Sequence, residues 1–205
     1  MNKPIETIII ILACYLFGSI PFGLLIGLSR GVDIRKLGSG NIGATNVLRI
    51  LGKGPGILVF VMDTFKGLAA VLISKAFHLS DYLIVAGAFA SVIGHTFSPF
   101  LGFKGGKGVA TSLGVIFGLN WIIALIAFVL WGIIVAITRY VSLSSIIASS
   151  SVPLMMMFWK EMHVPIPFQA VAIIAVLGII LKHIPNIKRL LNGTEPKIGT
   201  KVKLN

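Results

Sequence analysis

Residues 109–137 read VATSLGVIFGLNWIIALIAFVLWGIIVAI and contain no charged side chain. A helix that spans a membrane needs about 20 mostly apolar residues. The stretch therefore forms either one long, tilted helix or two shorter helices that turn near Gly118, Leu119 and Asn120. This choice decides the topology, because it changes the number of membrane crossings between the segments before and after the stretch.

The composition of the whole chain has the same apolar character. Of its 205 residues, 56% are hydrophobic and 12% are charged, whereas soluble domains average about 45–50% apolar and about 25% charged residues. So few charges do not cover a soluble surface, which predicts an all-α integral membrane protein. A disulfide scaffold is excluded because Cys14 is the only cysteine.

Five further segments have the length and composition of spanning helices. They are residues 8–28, 55–77, 82–101, 143–159 and 168–184. The first segment lacks the basic start of a cleaved signal peptide, since Glu6 offsets Lys3. We expect it to bend near Pro21, which has no backbone N–H.

The positive charges indicate how residues 109–137 are divided. The basic loop at 102–108 and the basic tail at 182–203 should share the cytoplasmic side, which requires an even number of crossings between them. Two helices in 109–137 satisfy this rule and give seven transmembrane helices, although the first of the two is short. The N-terminus then lies outside and the C-terminus in the cytoplasm, in a single domain over residues 1–205.

This orientation separates the basic residues strongly. Fourteen lie inside: Arg30, Arg35, Lys36, Arg49, Lys53, Lys104, Lys107, Arg139, Lys182, Lys188, Arg189, Lys197, Lys201 and Lys203. Only Lys3, Lys75 and Lys160 lie outside. The net charge of +12 indicates anionic lipid beside the cytoplasmic loops, and then anionic ligands. Nucleic acid is not expected as a partner, because the basic residues form no single solvated face.

The loop between the first two spans has an unusual composition. Residues 38–46 read GSGNIGATN, and Arg49 follows. The glycines allow backbone N–H groups to approach a ligand, and the arginine is a forked cation suited to phosphate. A helix that starts near Ala44 would present free N–H groups to the same place. The candidate ligands are Ser39, Gly40, Asn41, Thr45, Asn46 and Arg49, and the alternative is a polar connecting loop with glycine turns.

A second glycine-rich loop, GFKGGKGVAT, occupies residues 102–111. It lacks the spacing of a nucleotide-binding P-loop, because Gly108 follows Lys107 where a Ser or Thr is required. We interpret it as a phosphate cradle built from Lys104, Gly105, Gly106, Lys107 and Gly108. The alternative is a turn that carries ordinary cytoplasmic lysines.

Two pairs of polar residues lie at predicted cytoplasmic helix ends. Ser142 and Ser145 are three residues apart, as are His183 and Asn186, so each pair shares one face of a helix. The serines are candidate substrate contacts or helix caps. His183 is a candidate general acid, general base or hydrogen-bond donor to a phosphate. The alternative is a polar anchor at the membrane edge.

Charged residues also occur inside the predicted spans. Asp63 and Lys66 are three residues apart in the second span, and His95 lies near the inner end of the third. Charges in an apolar layer should pair or face a polar cavity, so we predict a structural ion pair, with a substrate-site role as the alternative. No metal site is expected, because the histidines and the cysteine lack ligand spacing and carboxylates are scarce.

Together these segments resemble the bacterial acyl-phosphate:glycerol-3-phosphate acyltransferase family. The resemblance covers nearly the whole chain and is carried by residues 17–20, residues 38–46 with Arg49, residues 105–111, residues 139–143, and residues 183–186 with Arg189 and Gly193. One departure is Ile184-Pro185, where many members have Arg-Glu, and a local bend is expected there. The histidine-to-aspartate spacing of other glycerolipid acyltransferases is absent, because Phe100 and Lys188 stand five residues after His95 and His183.

The resemblance implies transfer of a fatty acyl group from acyl phosphate to the 1-hydroxyl of glycerol 3-phosphate. The expected products are lysophosphatidic acid and phosphate, formed without a cofactor at the cytoplasmic face of a bacterial inner membrane. The expected partners are the two phosphorylated substrates and membrane lipid. The resemblance also implies seven spans, in agreement with the charge distribution.

On this hypothesis Lys107 binds the phosphate of acyl phosphate or stabilises the charge that develops on it. Ser39, Asn41, Thr45, Asn46 and Arg49 hold a phosphate or polar groups of the second substrate, while Ser142, Ser145, His183 and Asn186 complete the pocket. The general base is either His183 or the phosphate of glycerol 3-phosphate. The competing classes are an anion transporter and a structural membrane subunit. An enzyme, unlike either of these, should lose turnover in Lys107→Ala.

Overall fold

The computed structural model describes residues 4–200, apart from the side chain of Lys160, and all regular structure in that range is helical. The α-helices are α1 (Pro4–Gly18), α2 (Phe22–Leu28), α3 (Ala44–Leu51), α4 (Lys53–Ala76), α5 (Asp81–Thr96), α6 (Val109–Leu119), α7 (Trp121–Thr138), α8 (Val141–Phe158), α9 (Ile166–Lys182) and α10 (Ile184–Leu191). Three charges of the orientation argument, Lys3, Lys201 and Lys203, lie outside the described residues.

The described helices provide four membrane spans by length and composition, or six if each of two bent helix pairs is one span. Four qualify alone, namely α4, α5 with its following turn, α7 and α8. Two bent pairs qualify if each is one span: α1 with α2, at 40°, and α9 with α10, at 56°. The prediction of an all-α membrane protein is confirmed. Seven spans remain a prediction, because α6 has only 11 residues.

The helical break in residues 109–137 lies where the sequence predicts it. α6 ends at Leu119 and α7 begins at Trp121. The side chain of Asn120 caps α7, because its Oδ1 accepts a hydrogen bond of 3.1 Å from the N–H of Ile123. An asparagine at this position satisfies a backbone donor that has no partner within the helix.

α6 runs parallel to α4 and extends along only part of it. Thr111 in the first turn of α6 packs on Gly67, past the middle of α4, where a Cβ would overlap the Thr111 carbonyl oxygen. At the other end, Lys75 Nζ donates a hydrogen bond of 2.7 Å to Gly118 O. At 1.5 Å per residue, α6 is about 16 Å long. It therefore begins deep beside α4 and ends level with the C-terminal end of α4.

The first apolar segment bends where expected. Residues 19–21 separate α1 from α2, and Pro21 has no N–H to continue the helix. The carbonyl groups freed by the break receive side-chain donors. Ser98 Oγ donates to Ser19 O at 2.7 Å, and Lys66 Nζ donates to Ile20 O at 3.1 Å. The break is thus fixed from two other parts of the chain.

A small apolar core lies beneath the loop that follows α2. It contains Leu24, Ile34, Ile42, Val47 and Val59, all of them buried. These side chains attach the loop and α3 to α2 and α4. The main apolar core lies elsewhere, between α1 and helices α4 to α9.

Candidate active site

A polar cavity of about 120 Å³ lies where both glycine-rich loops meet the ends of α8 and α9. A single water needs about 10–15 Å³ by the same measure, so the cavity is large enough for a small molecule. It is lined by these residues proposed from the sequence: Ser39, Asn41, Thr45, Asn46, Arg49, Lys107, Ser142, Ser145, His183 and Asn186. Gly40, Lys104, Gly105, Gly106 and Gly108 do not line it, and Lys104 is exposed.

The first glycine-rich loop is held together by the side chain of Asn46. Its Oδ1 accepts a hydrogen bond of 2.9 Å from the N–H of Ser39. Its Nδ2 donates to the carbonyl oxygens of Ile34, Leu37 and Asn41 at 3.1, 3.2 and 2.9 Å. Asn46 is only 2% exposed. Although it lines the cavity, its hydrogen-bonding capacity is used by the loop itself.

The same loop leads directly into α3. Asn41 Oδ1 accepts a hydrogen bond of 2.8 Å from the N–H of Gly43, the residue before the helix. α3 begins at Ala44, as predicted, so its free N–H groups lie at the wall of the cavity. One turn further, Arg49 Nη2 donates to Pro196 O at 3.1 Å. Arg49 Nε is buried without a partner among the described residues.

The second glycine-rich loop is held by backbone contacts with the end of α5. The N–H of Gly105 donates to Thr96 O, and the N–H of Gly106 donates to His95 O, both at 3.0 Å. Gly108 then takes a φ of +82°, which a glycine adopts readily, and α6 starts at the next residue. The side chain of Lys107 remains free to cross the cavity.

Lys107 reaches the opposite wall of the cavity. Its Nζ donates a hydrogen bond to Asn186 Oδ1. Burial lowers the pKa of the Lys107 amine to about 8; the charge of Glu195 opposes this shift, whereas Arg189 and Arg49 reinforce it. An ammonium group held in partial burial attracts an anion more strongly than one in bulk water.

The start of α8 supplies two hydroxyl groups, three residues apart on one face. Ser142 Oγ donates to Glu195 Oε1 at 2.7 Å. Ser145 Oγ accepts a hydrogen bond of 3.2 Å from Trp131 Nε1 of α7. Both serines are buried and line the cavity, as predicted from their spacing.

The bend between α9 and α10 places the last pair of predicted residues. Pro185 lies in the first turn of α10, and the two helix axes differ by 56°, which confirms the bend expected at Ile184-Pro185. His183 Nδ1 lies 2.8 Å from Ile179 O. A carbonyl there favours a proton on Nδ1 and leaves Nε2 as the acceptor in the neutral ring.

Glu195 belongs to the site, although no motif in the sequence assigns a role to it. Its carboxylate accepts hydrogen bonds of 2.7 Å each from Ser142 Oγ, Asn186 Nδ2 and Arg189 Nε. Burial alone would raise its pKa, but these donors together hold the pKa below the usual value for a glutamate. Its position on a polar tail, ten residues beyond Pro185, gives no periodic signal that would reveal it.

Glu195 is part of a strap, residues 192–200, which contributes Glu195 to the wall of the polar cavity. Besides Glu195, the strap contacts α3 where Arg49 Nη2 donates to Pro196 O. It then contacts the junction of α7 and α8, where the N–H of Ile198 donates to Arg139 O at 2.8 Å. These contacts join segments that are far apart in the sequence.

Two buried residues of the spans also line the cavity. Asp63 and Lys66 form the predicted ion pair, with 2.8 Å between Oδ1 and Nζ. Asp63 and His95 lie at the cavity wall. The sequence offers a structural ion pair and a place at the substrate site as alternatives. Asp63 both pairs with Lys66 and lines the cavity.

An apolar cavity of about 70 Å³ lies beside the polar one. Its walls come from α4, α6, α7, α8 and α9. Phe60, Val109, Trp131 and Ser145 line both cavities. A ligand with a charged head and an apolar chain therefore has adjoining space for both parts.

The fold and the site define an integral membrane protein of the α-helical type, with a basic pocket that adjoins an apolar one. The chain belongs to the glycerol-3-phosphate acyltransferase family, whose profile matches residues 8–193. Acyltransferases of this family act in phospholipid synthesis. The family resemblance noted in the sequence is thus confirmed.

Curated relatives match nearly the full chain. A glycerol-3-phosphate acyltransferase of a Synechococcus species is 47% identical over 188 residues, which are 91% of each chain. Another, from Desulforamulus reducens, is 44% identical over 198 residues, which are 96% of this chain and 97% of the relative.

Two solved structures share the fold. Both are of PlsY, described as an integral membrane glycerol 3-phosphate acyltransferase, in a glycerol 3-phosphate form and in a lysophosphatidic acid form. Each is 43% identical and covers 95% of this chain and 96% of its own, with TM-scores of 0.88 and 0.85.

Proposed function

We propose that this protein transfers a fatty acyl group from acyl phosphate to the 1-hydroxyl of glycerol 3-phosphate. The hydroxyl oxygen forms a bond to the acyl carbon, the bond from that carbon to the phosphate oxygen breaks, and the hydroxyl proton passes to a base. Lysophosphatidic acid and inorganic phosphate leave. The observation that carries the proposal is the junction of the polar and apolar cavities at Trp131 and Ser145.

The acyl chain of the donor would lie in the apolar cavity, with its phosphate in the polar one. In that position Lys107 neutralises the charge that develops on the leaving phosphate. Asn186 holds the ammonium group in place, and it is in turn held by Glu195. Acyl phosphate is already activated, so positioning and charge stabilisation suffice without a covalent intermediate.

Glycerol 3-phosphate would bind against the first glycine-rich loop. Arg49 would offer the phosphate its buried Nε, which has no hydrogen-bond partner within residues 4–200. Ser39 and Thr45 line the same cavity, and Thr45 lies in the first turn of α3, where backbone N–H groups favour an anion. Asn41 and Asn46 then support the loop and shape its wall.

Two groups are candidates for the base. The ring of His183 is oriented by the Ile179 carbonyl, which leaves Nε2 available to accept a proton. The phosphate of glycerol 3-phosphate is the substrate-borne alternative. In either case Ser142 and Ser145 complete the wall beside the reacting groups.

The direct test is phosphate release by the purified protein in detergent with palmitoyl phosphate. We expect release that depends on glycerol 3-phosphate and is matched by lysophosphatidic acid. Parallel reactions replace palmitoyl phosphate with palmitoyl-CoA or palmitoyl acyl carrier protein. Product from either of those donors, with none from palmitoyl phosphate, would contradict the proposed donor while preserving the acceptor.

We further propose that α6 completes a set of seven spans, with the N-terminus outside and the site facing the cytoplasm of a bacterial inner membrane. The parallel course of α6 and α4, and the contact from Lys75 to Gly118, support this arrangement. A cysteine at Trp121, which is 63% exposed, should react with an impermeant maleimide from outside intact cells. Reaction only after the membrane is opened would contradict the topology. The single domain of residues 1–205 is part of the same proposal.

A further inference from the structure

The buried charges of α4 and α5 have no part in the chemistry described above. The side chains of Asp63 and Lys66 are 3% and 1% exposed. His95, at the end of α5, has its Nδ1 3.7 Å from the same Asp63 oxygen that pairs with Lys66. Ionisable groups inside the apolar layer are unfavourable unless they pair or serve a site. The question is therefore what this cluster positions.

His95 lies directly under the second glycine-rich loop. Its carbonyl oxygen accepts the N–H of Gly106, and the carbonyl of Thr96 accepts the N–H of Gly105. The ring of His95 fills the place of a side chain at Gly106, because a Cβ there would overlap His95 Nε2. The loop that presents Lys107 thus rests on the ring and the backbone of His95.

The other side of the cluster is anchored to the break between α1 and α2. Lys66 Nζ donates to Ile20 O at 3.1 Å, and it lies 5.7 Å from the centre of the Phe22 ring. With Lys66 fixed in this way, the carboxylate of Asp63 pairs with the lysine and lies in contact with the ring of His95, without a hydrogen bond to it. A continuous set of contacts therefore leads from the helix break to Gly106, the residue before Lys107.

We propose that Asp63, Lys66 and His95 form a positioning unit that fixes the second glycine-rich loop and places Lys107 Nζ at Asn186. The unit acts through Lys107 and does not require contact with the substrate. Its catalytic consequence rests on the proposed function, because it assumes that Lys107 stabilises the charge of a phosphate. Supporting groups of this kind hold a reacting side chain to well within 1 Å, and a displacement of about 1 Å can lower a rate about 100-fold.

The first measurement needs no substrate. Lys107 is labelled with an amine reagent across a range of pH and quantified by mass spectrometry in the wild type, His95→Ala, His95→Asn and Ser91→Ala. Ser91 is the matched control, since it is buried on α5 one turn before His95 and its Oγ donates a hydrogen bond to Ala88 O of the same helix. The exposed Lys104 serves as the internal reference.

We expect wild-type Lys107 to react with a midpoint near the lowered pKa of about 8. In His95→Ala the midpoint should move toward the ordinary lysine value of about 10.4, because the loop leaves its buried seat. His95→Asn keeps a polar group toward Asp63 but loses the ring, so its midpoint should lie between the two. Unchanged midpoints in both His95 variants would overturn the proposal, even if one variant folds poorly.

The second measurement is a double-mutant cycle on turnover. We expect His95→Ala to lower kcat about 10- to 100-fold, with KM changed less than about threefold. Added to Lys107→Ala, it should cause no further loss, because residues that act through one another are not additive. Additive losses would overturn the proposal. A wild type that is inactive with every donor contradicts the proposed function instead, and the labelling result still stands.

Discussion

The two glycine-rich loops at the polar cavity are built in opposite ways. The first, residues 38–46, is held by one of its own side chains, because Asn46 bonds two backbone groups within the loop and two just before it. The second, residues 102–108, is held from outside, through backbone groups that bond to the end of α5. In the first loop the side chains of Asn41 and Asn46 hold the backbone, whereas in the second the side chain of Lys107 is left free for a ligand.

This difference separates residues that look alike in the sequence. Asn41, Asn46 and Lys107 are all polar residues among glycines, and all line the cavity. Substitution of the asparagines should first lower stability. Substitution of Lys107 should first lower turnover, since its side chain holds no backbone group of its own loop. The predictions below test that division.

The largest effect is expected for Lys107→Ala. Removal of a single charge-stabilising donor lowers kcat about 100- to 1000-fold in enzymes that rely on such groups. We expect a loss of this size in kcat/KM for lysophosphatidic acid formation, with the melting temperature in detergent nearly unchanged. Lys104→Ala is the matched control in the same loop, and its activity should stay within about threefold of wild type, because Lys104 is exposed outside the cavity. Equal losses in the two variants would contradict the assignment.

A smaller effect is expected for Asn46→Ala, and it should lower stability before it lowers turnover. Three carbonyl groups and one N–H lose the hydrogen bond from the nearly buried Asn46, and of the carbonyls Leu37 O keeps the N–H of Gly40. An unsatisfied buried group costs about 1–3 kcal/mol, and water will reach part of the loop. We expect the free energy of unfolding to fall by about 2–3 kcal/mol, measured by denaturant titration in mixed micelles.

Asn41→Ala provides the comparison within the first loop. It removes one hydrogen bond, to the N–H of Gly43, and should lower the free energy of unfolding by only about 1 kcal/mol. If Asn46→Ala is instead as stable as the wild type but loses turnover, Asn46 acts on the ligand. The contrast between the two loops would then be wrong.

Much of the fold follows from the sequence, because apolar length and helix-breaking residues are local signals. The break at Asn120, the bend near Pro21, the start of α3 at Ala44 and the bend at Ile184-Pro185 were all predicted and are observed. The sequence also shows that α6 is short for a helix that crosses a membrane. The cause of its short length, a start beside the middle of α4, depends on close packing at Gly67, which no local pattern shows.

The site was predicted less completely. Motifs with unusual composition identified residues that do line the cavity, since glycines and polar side chains stand out in an apolar chain. Glu195 bonds to Ser142, 53 residues away in the sequence, and the ring of His95 packs against Gly106 of the following loop. Only three dimensions reveal such contacts. The scarcity of carboxylates, six in 205 residues, was the one signal that could have drawn attention to Glu195.

The smallest expected effect is in the pH dependence of kcat/KM. It distinguishes Lys107 of the second loop, whose charge titrates, from Arg49 after the first loop, whose charge does not. Burial lowers the pKa of Lys107 to about 8, so its ammonium group is present below pH 8 and is lost as the pH rises through that value. Burial also lowers the pKa of Arg49, but a guanidinium starts from above about 12 and stays charged. We therefore expect kcat/KM to be halved near pH 8 and to fall about tenfold per unit above it.

The variant Lys107→Arg assigns that alkaline decline to one loop. Below pH 8 it should have lower activity than the wild type, because the planar guanidinium does not fit the place of an ammonium group beside Asn186. Its kcat/KM should nevertheless lose the decline near pH 8, since the new cation does not titrate there. A decline that persists in Lys107→Arg would assign the titration to another group. The second loop would then supply a fixed charge, as the first does through Arg49, and the two loops would differ only in how their backbones are held.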